Sequence, residues 1–157
     1  MPLELNLDRR AQFAAQAIVK TNTVEDLENV IRRALAVLQE QGIYAALLYL
    51  YVKGNVAGET IAKELLDISK EIAAPTNQED LQRTARHLST KLTDLRNSPK
   101  DERKQEAVTQ ARHAYRLAEL EYLSTDVTQD IHLLLLVKQL WEQTLIYSRY
   151  ACKIGHE

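Results

Sequence analysis

Cysteine, glycine and proline are scarce in this chain, and each scarcity removes a class of structure. Of 157 residues, one is cysteine, four are glycine and three are proline. The lone Cys152 excludes a disulfide within the chain and a cysteine-built zinc cluster, so a reducing cytosol is the expected home. With few glycines and prolines and little clustering of β-branched residues, the turns and strands of a sheet have little to build on. Long hydrophobic runs are missing too. The longest, residues 43–52, falls well short of the ~20 residues that cross a bilayer, so no membrane is expected as a partner. Residues 1–8 mix acids with apolar side chains and do not read as an export signal. Catalytic signatures are equally sparse: there is no glycine-rich phosphate loop, no His-Glu-x-x-His pair and no Gly-x-Ser-x-Gly elbow. His87, His113, His132 and His156 fall outside metal-ligand spacings with carboxylates and read as surface or boundary residues. No metal, cofactor, small-molecule substrate or enzymatic activity is expected.

What is present is helical. Ala, Leu, Gln, Glu, Lys and Arg dominate, and the apolar residues recur at helical spacing. Residues 33–54, RALAVLQEQGIYAALLYLYVKG, are the most informative stretch. They hold the end of an amphipathic helix, then Gly42, then an almost wholly apolar helix over 43–52 that stops at Lys53-Gly54. A helix apolar on every side must be enclosed by other helices or by a partner chain, which places this block at the centre of a bundle.

The remaining elements follow from the same spacing. Leu7, Ala11, Ala14 and Ile18 define a first helix ending near Lys20. Asn22 or Thr23 caps a second, with Glu25 and Asp26 in its first turn and Leu27, Val30, Ile31, Ala34, Leu35 and Leu38 on one face. After Gly54 and Gly58, a fourth helix carries Ile61, Leu65, Ile68 and Ile72 and stops before Pro75. Asn77, with Asp80 three places on, starts a fifth helix with the stripe Leu81, Ala85, Leu88, Leu92 and Leu95. Ser98-Pro99-Lys100-Asp101 reads as a cap, a proline at the first helical position and an acid at the third. A sixth helix then carries Val108, Ala111, Tyr115, Ala118 and Tyr122. Thr125 or Asp126 begins a seventh that runs to about Lys153, before Gly155. The expectation is an all-α protein: a single helical domain over residues 1–157, forming one compact bundle of six to seven helices.

Charge is nearly balanced overall, with 20 Lys and Arg against 22 Asp and Glu, which argues against a self-sufficient, high-affinity nucleic-acid binder. Its distribution is uneven. Between residues 83 and 116, Arg83, Arg86, Lys91, Arg96, Lys100, Arg103, Lys104, Arg112 and Arg116 outnumber Asp94, Asp101, Glu102 and Glu106. The fifth and sixth helices can present a modest basic face, useful where several copies line up along one strand. Ordinary solvated helix faces with neighbouring ion pairs are the alternative reading of the same pattern. Tyr44, Tyr49, Tyr51, Trp141, Tyr147 and Tyr150 read as core or interface anchors rather than base-stacking platforms. The apolar third helix and the run at 133–137 together offer more apolar surface than one small bundle hides, so a protein-binding face is expected.

The pattern of Arg33, an apolar helix, Gly42, a second apolar helix and Lys53-Gly54 resembles the small all-helical subunit of type III-B CRISPR effector assemblies, the Cmr complex. The ends are similar as well: an Ala-rich first helix with Gln12 and Ala15, and a last helix closing on Arg149-Tyr150-Ala151. The resemblance covers roughly residues 8–54 and 131–153; the middle, 72–124, has no counterpart. Residues 133–137 stand where that family tends to carry a Tyr-Arg pair and a Thr-x-Glu-like segment, and Trp141 is displaced from the family's tryptophan position. The resemblance implies a non-catalytic subunit that stacks with copies of itself beside the backbone subunits. Such a subunit lines the channel for guide RNA paired with target RNA and leaves cleavage to others. It implies phosphate-contacting roles for Arg33, Lys53 and Arg149; charge pattern alone adds Arg83, Arg86 and Arg112.

Two alternatives stand beside this. Arg149 and His156 lie seven apart, a spacing that resembles the catalytic pair of HEPN-type ribonucleases. There His would act on the ribose hydroxyl as acid or base and Arg would hold the scissile phosphate. Tyr150 departs from that pattern, where a polar residue usually follows the Arg, and Gly155 is expected to end the helix before His156. The other alternative is a helical protein-interaction module that binds no nucleic acid.

Overall fold

The computed structural model describes residues 3–20 and 24–155. Among these lie seven α-helices and no strand: α1 (Leu3–Lys20), α2 (Val24–Gln41), α3 (Ile43–Lys53), α4 (Val56–Ile72), α5 (Gln78–Asn97), α6 (Glu102–Tyr122) and α7 (Ile131–Gly155). A π-helical turn, Leu123–Val127, continues α6. The protein is all-α, as its composition implies. No helix among the described residues is long and apolar enough to cross a membrane.

Where the sequence reads as one domain, the chain divides into two compact units, Met1–Ala74 with Val127–Glu157 and Pro75–Asp126. The first contains α1, α2, α3, α4 and α7, with α7 packed chiefly on α1 and α2. The α2 stripe is buried from Leu27 to Leu38, as the 3.6-residue period requires. Its expected cap, Asn22 or Thr23, lies outside the described residues. Trp141 of α7 is fully buried, and its Nε1 donates to Ser69 Oγ of α4 at 2.7 Å.

Two sharp junctions set the path from α2 to α4. Gly42 takes φ +97°, a conformation that L side chains rarely adopt, and its N–H still donates to Leu38 O at 3.0 Å. Gly54 closes α3 in the left-handed region at φ +66°. Asn55 then caps α4, its Oδ1 accepting from Gly58 N at 2.8 Å, while its Nδ2 donates to Asp26 Oδ2 at 3.1 Å. Gly58 therefore sits inside the first turn of α4 rather than ahead of it. The residue is small because α3 approaches closely: a Cβ on Gly58 would lie 2.8 Å from the backbone oxygen of Leu50.

Helix α3 does not lie at the centre of the bundle. Ile43, Ala46, Leu47 and Leu50 are buried, but Tyr44 and Leu48 are about two-fifths exposed and Val52 is 85% exposed. Those three recur every four residues and form an apolar stripe facing outward. The expectation failed because composition cannot tell a helix enclosed on all sides from one whose second face is left open.

The second unit is the hairpin of α5 and α6. Asp101 caps α6, its Oδ1 accepting from Arg103 N at 3.0 Å and Lys104 N at 3.4 Å. The expected cap, Ser98, instead closes the connecting turn by accepting from Asp101 N at 3.1 Å. Both residues are good caps by chemistry, and Asp101 wins because only it precedes an uninterrupted helical run. Asn77 stands before α5 without capping it and donates to Ala118 O at 3.0 Å. Of the expected α5 stripe only Leu81 is buried; Ala85, Leu88 and Leu95 are half-buried and Leu92 is exposed. The α6 stripe fares better, with Val108, Ala111, Ala118 and Tyr122 buried. Helix α7 begins later than expected. Asp130, rather than Thr125 or Asp126, caps it, its Oδ1 accepting from His132 N at 2.9 Å and Leu133 N at 3.3 Å. Asp126 accepts instead from Thr76 N at 3.1 Å at the foot of the hairpin. The far end also differs, since α7 runs through Gly155 rather than stopping before it.

Because the Leu50 carbonyl leaves no room for a Cβ, Gly58→Ala is expected to destabilise the protein by about 1–3 kcal/mol. Helix propensity alone gives the opposite sign, with Ala favoured by up to ~1 kcal/mol. Urea unfolding of the variant beside the wild type reads the sign directly.

Candidate nucleic-acid interface

The basic residues named from sequence divide between the two units. Arg33 on α2 and Lys53 at the end of α3 are exposed, and neither forms an ion pair with a described residue. Such cations keep their full hydration and are available to a phosphate. Arg149 on α7 is half-buried, and its Nε is shut off from solvent without a hydrogen-bond partner among the described residues. A buried guanidinium N–H left without an acceptor is costly, so this side chain is held by packing rather than by pairing. Next to it Tyr150 is 60% exposed, with Lys153 Nζ 5.7 Å from its ring centroid. His156 lies outside the described residues, so the Arg149–His156 pair has no geometry here.

In the second unit Arg83 pairs with Asp80 one turn earlier on α5, while Arg86 is exposed and has no ion pair with a described residue. Both line an open cavity of about 850 Å³ around the start of α5, together with Thr76, Asn77, Glu79 and Asp80. The two acids make that cavity electrostatically mixed. Arg112 on α6 is half-buried. A second groove, about 350 Å³, runs between α5 and α6 and is lined by His87, Lys91, Ala107, Gln110, Ala111 and Ala114. Sequence reasoning placed His87 at the surface and Lys91 in the basic stretch without joining them. Their i, i+4 spacing puts them on one face of α5, but which face meets alanines on α6 is decided by the pairing of the two helices.

The aromatic residues split by role. Trp141 and Tyr122 are fully buried and Tyr44 and Tyr150 are exposed, while Tyr147 belongs to a polar cluster that joins α7 to α1. Its hydroxyl donates to Asp8 Oδ1, and Gln143 Nε2 donates to Tyr147 Oη at 2.8 Å and to Asp8 Oδ1 at 3.3 Å. Gln12 Nε2 completes the carboxylate's shell at Asp8 Oδ2, 2.8 Å away. The hydrogen bond to Asp8 raises the Tyr147 pKa above its ordinary value, and burial, with Asp126 and Glu119 nearby, raises that of Tyr122. Cys152 is fully buried, and burial first, then the charge of Glu28, pushes its thiol up and away from reactive thiolate.

The fold and surface define a small all-helical protein with unpaired surface cations and an exposed apolar helix face. Compared with protein-family models, curated proteins and solved structures, the chain has no match.

The two raised tyrosines set a pH dependence. Each is favoured neutral in the folded protein, so its contribution to stability is complete below the unfolded tyrosine pKa of about 10 and is lost as pH rises through and beyond it. Denaturation midpoints in urea are expected to begin falling above about pH 8.5, where the raised Cys152 thiol starts to ionise in the unfolded chain only, and to fall more steeply above about pH 10 as the tyrosines do the same. Tyrosinate absorbance from Tyr122 should emerge only with unfolding. Tyr147→Phe should lessen the alkaline decline, whereas an unchanged decline assigns it elsewhere.

Proposed function

We propose that this chain is a non-catalytic small subunit of a type III CRISPR ribonucleoprotein effector in the cytoplasm. It stacks with further copies of itself beside the backbone subunits and lines the channel for guide and target RNA with basic residues. One observation carries this reading. The two stretches that resemble the Cmr small subunit, residues 8–54 and 131–153, fall in one compact unit, while the span without a counterpart corresponds closely to the separate unit Pro75–Asp126. That the two resembling stretches belong to one compact unit, with the hairpin as a separate one, is what supports reading them together as a single module.

Surface chemistry supports the same reading. Arg33 and Lys53 are exposed and without ion pairs to described residues, as groups that hold phosphates need to be. The stripe of Tyr44, Leu48 and Val52 is the apolar face that lateral association would cover. With near-neutral overall charge, one copy holds RNA weakly and several aligned copies hold it well.

The isolated protein is expected to bind single-stranded RNA weakly and without cleaving it, the log of the affinity falling with log salt by about 0.7 for each phosphate held. Reversing Arg33 and Lys53 to Glu should weaken binding by about tenfold, as the release of one to two phosphates implies, with helicity unchanged. Retention on immobilised type III backbone subunits tests the partner. RNA degradation that disappears in His156→Ala would replace this reading with a ribonuclease. Absence of RNA binding even at low salt would leave a protein-interaction module.

A further inference from the structure

The hairpin of α5 and α6 carries nearly equal numbers of basic and acidic residues, but six of its cations stand apart from its acids. Arg86, Lys91, Arg96, Lys100, Arg103 and Lys104 form no ion pair with any described residue. Of the acids between residues 83 and 116, Asp101 is engaged by the backbone N–H groups of Arg103 and Lys104 that it caps. Solvated helix faces of mixed charge normally show i, i+3 and i, i+4 pairs, as Arg83 does with Asp80; these six cations are left open.

The groove between the two helices gives that charge a shape. Its α6 side is lined by Ala107, Ala111 and Ala114, whose short side chains take up little of the groove, and its α5 side presents His87 and Lys91. Gln110 adds a side-chain amide at the rim, able to donate to one phosphate oxygen and accept from a ribose hydroxyl. An apolar peptide would find little apolar area in alanines and would bury Lys91 unpaired. A sugar-phosphate strand needs room for its backbone, a cation and a donor; the small alanines leave room, Lys91 is the cation and Gln110 the donor.

We infer that the groove between α5 and α6 is a second RNA-backbone site, in which His87, Lys91 and Gln110 hold the phosphates of a single strand passing over the alanine floor. It deepens the RNA-lining reading and rests on it for the identity of the polyanion. It differs in its residues and in its unit from the Arg33, Lys53 and Arg149 set. Interactions of this kind position a strand and do not read its bases.

Fluorescence anisotropy of the full chain with a short labelled single-stranded RNA, over a salt series, tests this. The charge variant His87→Ala/Lys91→Ala is expected to weaken binding by several-fold to tenfold and to shrink the salt slope by about 0.7 for each phosphate no longer held. Ala114→Leu, at an exposed position of the groove, fills the floor without changing charge. It should weaken binding comparably and shrink the salt slope to a similar degree, because a strand kept out of the groove also loses the phosphates held there. Circular dichroism verifies that each variant stays helical. Wild-type affinity in the charge variant, with weakened binding in Arg33→Glu/Lys53→Glu, overturns the groove site and leaves the RNA-lining reading standing. The reverse pattern supports the groove site and removes the roles given to Arg33 and Lys53. Weakened binding in the charge variant with none in Ala114→Leu means diffuse charge without a groove, and also overturns the inference.

Discussion

An indole carries one polar atom, and burying it without an acceptor costs about 1–3 kcal/mol. The first unit is arranged around meeting that demand. Trp141 Nε1 reaches Ser69 Oγ across 72 positions of sequence, and Ser69 in turn donates to Leu65 O at 2.7 Å within its own helix. The other buried hydroxyls of α7 ask nothing of neighbouring helices: Thr144 Oγ1 donates to Leu140 O and Ser148 Oγ to Thr144 O, both at 2.8 Å. The Trp141–Ser69 hydrogen bond registers α7 against α4, as the hydrogen bonds of Tyr147 and Gln143 to Asp8 register it against α1. The resulting rotation of α7 decides which residues it turns to solvent, and these include Ile131, Leu135, Ile146, Tyr150 and Ile154.

The junctions around α3 govern another part of the unit. Gly42 and Gly54 let the chain reverse where no side chain is tolerated cheaply, and Gly58 lets the end of α3 settle on the start of α4. With α3 fixed at both ends, its four buried residues face inward and Tyr44, Leu48 and Val52 have no choice but to face out. An apolar outward stripe and unpaired cations on one small unit are the physical content of the proposed role: the first suits protein neighbours, the second a polyanion.

The hairpin obeys different physics. Two helices bury one stripe of each, so residues that a third layer would enclose stay half-exposed, as Leu88 and Leu95 do. Polar interactions do the remaining work at its base, where Asp126 accepts from the backbone and hydroxyl of Thr76 and Asn77 donates to Ala118 O. A hairpin held this way can keep its outer surface free for charge.

Helical periodicity alone narrowed the count to six or seven helices and determined most of the buried positions on α1, α2, α4 and α6, while composition gave the excess of basic residues over 83–116. These depend on near-neighbour spacing, which a linear string records. Caps were legible only in part: Ser98 and Asp101 are chemically equivalent candidates, and the choice depends on where the following turn satisfies its N–H groups. Tertiary packing decided the open face of α3, the role of Gly58 beneath the Leu50 carbonyl, the separation of α5 and α6 into their own unit, and the union of His87 and Lys91 with alanines of α6. Each of these is a relation between residues on different helices, set by which surfaces meet. The same apolar pattern is compatible with several such meetings, and packing selects one.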